Sequence, residues 1–177
     1  MIAGESMFVV IQSTYDKGDF AMKHAIVPGS FDPITLGHLE LIRKAADLFD
    51  QVTVAVMENA AKKATYSLSE RLAMAEKTCA DLCNVRVIAS QDMLVDLAKK
   101  IGAAYIVKGV RNTLDFAYEQ NMAMINRELE PSIQTLYIPS DAAWETVSSS
   151  LVRELLKNGK TPERYVHPAI LPYLKIQ

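Results

Sequence analysis

The stretch IVPGSFDPITLGHLELI, residues 26–42, decides the fold, because it carries a strand directly into a helix. Its apolar run ends at Pro28 and Gly29, a Ser-Phe-Asp-Pro turn follows, and Gly37 and His38 stand in the first turn of an amphipathic helix. Glycine lets a backbone approach a ligand closely, and the free N–H groups of a helix N-terminus favour anions. The stretch predicts a loop that can meet a phosphate, but a plain turn with a capping histidine fits the same residues.

Beyond this stretch, short apolar runs alternate with segments of helical periodicity. Five strands are predicted, over residues 24–27, 52–57, 85–90, 104–107 and 133–138. Helices are predicted over residues 36–49, from a capping box at 67 to about 82, and over 92–101, 113–129, 148–158 and about 168–175. This alternation is typical of an α/β fold with a Rossmann-like, doubly wound sheet of five parallel strands and a C-terminal helical end. Ligands of such sheets bind outside the carboxyl ends of the strands.

The composition is that of an ordinary globular chain of 177 residues, half of them hydrophobic, with 19 basic and 21 acidic residues and a net charge of −2. This balance argues against a general nucleic-acid or membrane-surface binder, and no apolar run approaches the roughly 20 residues of a membrane helix. We expect residues 22–177 to form one domain and residues 1–21 to be an upstream extension, a cloning remnant or a mis-set start. Two cysteines four residues apart predict reduced thiols and a cytoplasmic location.

Cations follow the second and fourth predicted strands. Lys108 and Arg111 flank Gly109 and Val110 after the fourth strand, a position that suits a phosphate clamp, although solvated charges fit too. Asp115 and Glu119, spaced i and i+4, could equally pair with Arg111 and neighbouring cations. Lys62 and Lys63 stand in the loop after the second strand, where paired lysines are usually just solvated.

A run of hydroxyls opens the helix that follows the fifth strand. Trp144 precedes Ser148, Ser149 and Ser150, and we expect one hydroxyl to cap the helix while the others and their N–H groups form a second anion site. The ends of three strands therefore present anion-binding groups. No nucleophile paired with a base and no carboxylate cluster for an all-protein metal site is evident, so the groups present would position and neutralise phosphates, as phosphoryl or nucleotidyl transfer requires.

Several motifs carry a resemblance to a known family. PGSFDPITLGH (28–38) contains T-x-G-H and VSSSLVR (147–153) follows I-S-S-T/S-x-x-R, as in the nucleotidylyltransferase superfamily. The chain more closely resembles the bacterial phosphopantetheine adenylyltransferases over about residues 22–175. The segments that follow that family in order are KKATYSLSER (62–71), KGVRNTLDFAYE (108–119), INRELEP (125–131) and DAAWETVSSSLVRELLK (141–157).

The resemblance implies a nucleotidylyltransferase fold and adenylyl transfer from ATP to 4′-phosphopantetheine, giving dephospho-coenzyme A and pyrophosphate, the penultimate step of coenzyme A synthesis. It also implies Mg²⁺ carried by ATP rather than by protein side chains, a homohexamer built as a dimer of trimers, and feedback inhibition by coenzyme A. Neither a nucleic acid nor a membrane is an implied partner. The acceptor's phosphate would attack the α-phosphorus directly, without a covalent enzyme intermediate.

The resemblance also assigns residues. His38 would stabilise the transition state and also contact ATP, and Ser30 would touch both ATP and the acceptor. Acceptor contacts are implied for Lys62, for Leu94 on the pantetheine arm, and for Lys108, where many members have arginine. Further ATP contacts are implied for Phe31, Gly109, Val110, Arg111, Glu119, Trp144, Glu145, Thr146, Val147, Ser148, Ser149 and Ser150.

Two rival functions stay open on the sequence. One is a nucleotidyltransferase of the same fold that acts on nicotinate mononucleotide or glycerol phosphate, against which Lys62 and the segment KGVRNTLDFAYE (108–119) argue. The other is a nucleotide-sensing module, which would be expected to have lost His38 or the serine run, and neither is missing.

Overall fold

The computed structural model describes residues 22–58 and 63–175, and its centre is a sheet of five parallel strands. The strands are β1 (His24–Gly29), β2 (Gln51–Met57), β3 (Val85–Ser90), β4 (Tyr105–Val110) and β5 (Gln134–Pro139). The α-helices are α1 (Leu36–Leu48), α2 (Leu68–Cys79), α3 (Leu94–Ile101), α4 (Thr113–Leu129) and α5 (Ser149–Lys157). Short 3-10 helices span Ala142–Trp144 and Pro168–Tyr173. The predicted α/β fold is confirmed; residues 1–21 lie outside the described residues.

The strand order β3-β2-β1-β4-β5 places a switch point between β1 and β4. Strand β1 pairs with β2 as far as Gly29 opposite Val56, but with β4 only through Ala25 and Ile26. Beyond Ile26 the pairing of β1 and β4 has ended, so a crevice opens there between their carboxyl ends. Pro28, which has no N–H, is tolerated in β1 because β4 no longer pairs with the strand at that point.

Alternating strand residues feed two hydrophobic cores, one on each face of the sheet. Val27 of β1 and Val107 of β4 join the larger core with α1, α2 and α5. Ile26 and Ile106 point the other way and pack with α3. Burial on both faces explains why these strands read as continuous apolar runs.

Several elements differ from the prediction in their bounds or type. Strand β1 continues through Pro28 and Gly29, which were predicted to follow it, because β2 pairs with it as far as Gly29. Strand β4 continues through Lys108, Gly109 and Val110, which were predicted to follow it, because the backbone of β5 offers partners out to Pro139. Helix α2 ends at Cys79 rather than near 82, and the closing helix is 3-10 rather than α. The capping box at Ser67 is confirmed, as is the end of α3 at Gly102, which adopts a φ of 72°. No helix among the described residues is long and apolar enough to cross a membrane.

Candidate active site

His38 lies at the start of α1, where the carboxyl end of β1 meets the helix. Thr35 caps α1, and its backbone N–H donates to Nδ1 of His38 over 3.0 Å. Because Nδ1 accepts this bond, the proton of the neutral ring belongs on Nε2. The capping interpretation and the functional one are therefore compatible, since capping fixes the tautomer that leaves Nε2–H free to donate to a ligand.

Burial and, secondarily, the charge of Arg111 lower the pKa of His38 from 6.5 to about 4. The ring is thus neutral at physiological pH. A neutral ring can accept the bond from the Thr35 amide, whereas an imidazolium would lose that bond because its Nδ1 would itself be protonated.

A lowered histidine pKa makes stability depend on pH. Between pH 6.5 and pH 4 the unfolded chain binds a proton at His38 that the folded chain does not, so the free energy of unfolding falls as pH falls through this window. We expect this contribution, up to about 3 kcal/mol, to be absent from His38→Asn, whose side-chain oxygen can still accept from Thr35. Urea unfolding of both proteins at intervals across the window measures it, and parallel curves would contradict it.

Phe31 holds the imidazole from one side. Its backbone adopts a φ of 46°, an uncommon conformation for a residue with a side chain, and its buried ring meets His38 edge-on with centroids 5.1 Å apart. The ring also covers Gly29. A Cβ at Gly29 would lie 2.8 Å from Cζ of Phe31, so glycine is required for this close approach.

This approach gives a prediction that compares two glycines. Gly29→Ala should reduce the free energy of unfolding by about 1–3 kcal/mol, because the Phe31 ring cannot move without disturbing its strained backbone. Gly109→Ala should cost less, because the atoms nearest its Cβ would belong to the flexible side chain of Leu41, the first of them Cδ2 at 3.0 Å. Chemical denaturation of both variants checks the difference, and equal losses would refute it.

Both cations at the end of β4 are paired with carboxylates from α4. Nζ of Lys108 lies 3.0 Å from Glu119, and Arg111 donates from Nε to Asp115 over 2.7 Å. The predicted alternative of carboxylate pairing is therefore what this structure shows. The pairing holds the cations at the crevice edge, and an incoming phosphate would compete with Glu119 for Lys108.

The three serines at the start of α5 divide their hydroxyls among different partners. Ser148 caps the helix by accepting from the amide of Leu151, as predicted for one of them. Ser149 instead donates to the carbonyl of Pro33 over 2.8 Å, and Ser150 accepts from Arg153. The amide of Leu151 is thus engaged, and what α5 can offer an anion is the amides of Ser149 and Ser150, which have no acceptor within the helix.

Helix α1 is the element against which these segments converge. A Cβ at Gly37 would lie 3.7 Å from Cβ of Trp144 and 3.6 Å from the carbonyl of Val147. Gly109 faces Leu41 one turn further along α1. The ends of β1 and β4 and the segment before α5 therefore border one crevice.

The other predicted residues vary in their relation to this crevice. Ser30 is exposed at the end of β1, and Glu145 and Thr146 are exposed between Trp144 and α5. Leu94 is half-buried at the first position of α3, where it packs against the smaller core. Lys62 lies outside the described residues.

Sequence reasoning passed over Asp32, whose carboxylate accepts from the amides of Thr65 and Tyr66, each over 2.9 Å. Its carbonyl accepts from Nη1 of Arg153 over 2.5 Å. Asp32 thus ties the loop after β1 to the segment before α2. Its position in a Ser-Phe-Asp-Pro turn was the only available signal, and that signal does not say which amides the carboxylate meets.

Three carboxylates near the crevice already have partners. Asp32 accepts from two amides, Asp115 from Arg111, and Glu119 lies against Lys108. Across residues 22–58 and 63–175, no group of three or more His, Cys, Asp or Glu side chains could hold a metal ion.

Comparisons with known proteins agree with this geometry. A family model described as cytidylyltransferase-like matches residues 26–155. A phosphopantetheine adenylyltransferase of Limosilactobacillus fermentum is 46% identical over 138 residues, covering 78% of this chain and 80% of the relative. The enzyme of that name from Mannheimia succiniciproducens is 42% identical over 152 residues, covering 86% and 96%. A Vibrio parahaemolyticus structure assigned as a nicotinate-nucleotide adenylyltransferase superposes with a TM-score of 0.64 at 21% identity, covering 85% and 90%, a likeness of fold alone.

Proposed function

We propose that this chain, which belongs to the phosphopantetheine adenylyltransferase family, transfers the adenylyl group of ATP to 4′-phosphopantetheine. The products are dephospho-coenzyme A and pyrophosphate, the penultimate step of coenzyme A synthesis. The observation that carries the assignment of the site is His38, which burial and Arg111 keep neutral and whose Nδ1 accepts from the Thr35 amide, so that Nε2–H can donate to a phosphate.

The transfer needs no protein nucleophile. A phosphate oxygen of the acceptor forms a bond to the α-phosphorus of ATP as the bond to the bridging oxygen breaks, and pyrophosphate leaves with the electron pair. His38 donates through Nε2 to α-phosphate oxygens that gain charge in the transition state. The rest of the site overcomes the repulsion between two anionic substrates.

The cations divide between the two substrates. Lys62 and Lys108 hold the acceptor phosphate, with Ser30 between the substrates and Leu94 along the pantetheine arm. Arg111 and the amides of Ser148–Ser150 bind the triphosphate. The remaining ATP contacts are Phe31, Gly109, Val110, Glu119, Trp144, Glu145, Thr146 and Val147. When the acceptor phosphate takes Lys108, Glu119 is released from its ion pair and becomes available to ATP.

A divalent metal, which we propose to be Mg²⁺, accompanies ATP. Bound to the phosphates, it supplies further neutralisation of their charge. Asp32, Asp115 and Glu119 are already engaged by amides or cations, which supports a metal held by phosphate and water oxygens rather than by side chains.

We propose that the chain assembles into a homohexamer, a dimer of trimers, and the exposed side chains of helix α4 support a contact between copies. Only Asn126 of its 17 residues is buried. The exposed apolar or aromatic side chains along it are Leu114, Phe116, Tyr118, Met122, Met124, Ile125 and Leu129. A face of this kind is typical of contact surfaces between protein chains. We also propose a cytoplasmic location, where ATP is supplied, and feedback inhibition by coenzyme A, which shares the pantetheine arm with the acceptor.

A coupled assay for pyrophosphate tests the reaction. ATP and Mg²⁺ are offered with 4′-phosphopantetheine, nicotinate mononucleotide or glycerol phosphate in turn. We expect release with 4′-phosphopantetheine alone. Release of pyrophosphate only with another acceptor would contradict the assignment of 4′-phosphopantetheine as the substrate. Binding of ATP without turnover of any acceptor would favour a nucleotide-sensing module.

A further inference from the structure

Arg71, in the first turns of α2, is a buried cation whose partners within residues 22–58 and 63–175 are all backbone carbonyls. Its side chain is 2% exposed. Nε donates to the carbonyl of Tyr66 over 3.1 Å, and Nη1 donates to the carbonyls of Ser30 over 2.7 Å and of Met57 over 3.0 Å. Among the described residues, no carboxylate lies within ion-pair distance of Arg71. Burying a guanidinium without a counter-charge costs free energy. A buried arginine at this position therefore suggests that its three bonds to carbonyls have a role in the protein.

The three carbonyls belong to three separate segments at one edge of the sheet. Met57 ends β2, Tyr66 precedes α2, and Ser30 begins the turn after β1. The Arg71 guanidinium thus fixes the Ser30–Phe31 peptide relative to the end of β2 and the start of α2. Phe31 directly follows the Ser30 carbonyl and holds the uncommon φ of 46°, a conformation that persists only where its surroundings over-determine it.

The consequence reaches His38 through Phe31. The Phe31 ring lies edge-on to the imidazole, with centroids 5.1 Å apart. Arg71 fixes the peptide that sets this ring, and the ring borders the face of His38. The bond of Arg71 to the Ser30 carbonyl is its link to the residues that we propose to contact the substrates.

We propose that Arg71 is a positioning residue for adenylyl transfer, which locks the Ser30–Phe31 peptide and thereby the His38 imidazole. This inference rests on the proposed function. Lysine cannot substitute, because a single ammonium on a flexible stem lacks the planar fork that spans the three carbonyls. A misplacement of catalytic groups by about 1 Å is enough to cost about 10²-fold in rate.

The test compares Arg71→Lys with Met74→Ala. Met74 is fully buried on the same face of α2, one turn further on, and packs in the larger core, so its truncation destabilises the helix without releasing Ser30. Thermal melting gives the folded fraction, and steady-state kinetics with ATP and 4′-phosphopantetheine give kcat and KM. Arg71→Gln, which buries no charge, is the second variant should the lysine variant fail to fold.

We expect kcat per folded molecule to fall by about 10²-fold in the Arg71 variants while the KM for ATP rises far less, because Arg111 and the α5 amides still bind the triphosphate although Ser30 and Phe31 are released. Met74→Ala should keep the wild-type kcat once corrected for folding. If the Arg71 variants retained the kcat of Met74→Ala, the inference alone would be overturned. An inert wild-type protein would overturn the proposed function and this inference with it.

Discussion

Replacing His38 by alanine is expected to lower kcat by about 10²–10³-fold while ATP still binds. The reason is that Nε2–H donates to oxygens whose charge grows only in the transition state, so ground-state affinity loses little. Steady-state turnover with 4′-phosphopantetheine gives the first quantity, and calorimetric titration with Mg²⁺-ATP gives the second.

The matched control is Thr35→Ala, which removes the side-chain cap but keeps the backbone N–H that sets the His38 tautomer. It should lose stability, by about 1 kcal/mol, and retain far more turnover than His38→Ala. Wild-type turnover in His38→Ala would remove His38 from the chemistry. Equal losses in both proteins would instead make the cap, rather than the Nε2 donor, the essential feature.

The second large effect is expected at Lys108. Lys108→Ala should raise the KM for 4′-phosphopantetheine by about 10–100-fold, because a charge-assisted contact worth about 1.5–3 kcal/mol is lost. The loss is aggravated by Glu119, which the substitution leaves as an unpaired carboxylate beside the incoming phosphate. Initial rates at saturating ATP and varied acceptor measure it.

Two further variants separate the loss of the Lys108 charge from repulsion between Glu119 and the acceptor phosphate. Lys108→Ala combined with Glu119→Gln should recover part of the acceptor affinity, because the repulsive carboxylate is gone. Lys99→Ala is the surface control, since Lys99 also pairs with a glutamate, Glu130, but is 60% exposed and lies on α3 away from the crevice. An unchanged KM in Lys108→Ala would place the acceptor phosphate elsewhere.

The sheet could be predicted from the sequence because local patterns coincide with tertiary ones. Buried β-branched runs such as VTVAVM (52–57) have no stable alternative to a covered parallel strand, and β3 begins and ends at its predicted residues. Strand ends were harder to predict. Lys108 and Gly109 were predicted to follow β4, yet pairing with β5 extends the strand through them. The neighbouring strand that causes this extension cannot be inferred from local sequence.

The positions of His38 and of the serine run could be predicted, because each stands in the first turn of a helix that follows a strand, and their roles stay predictions. The supporting contacts of the site could not be predicted. The bonds of Ser149 to Pro33 and of Arg71 to Ser30 span 116 and 41 residues, and no local pattern encodes such partners. One signal was present: Arg71 occupies the first position of the stripe that continues with Met74, Ala75 and Thr78, so a charged residue stands where the helix buries its face.

The direct transfer can be tested most sharply at phosphorus. The enzyme is given 4′-phosphopantetheine and one diastereomer of ATP in which sulfur replaces an α-phosphate oxygen, and the configuration of the dephospho-coenzyme A analogue is determined. A single in-line displacement predicts inversion at the α-phosphorus. Retention would show two displacements through an adenylylated residue, and would contradict a site built from positioning groups alone.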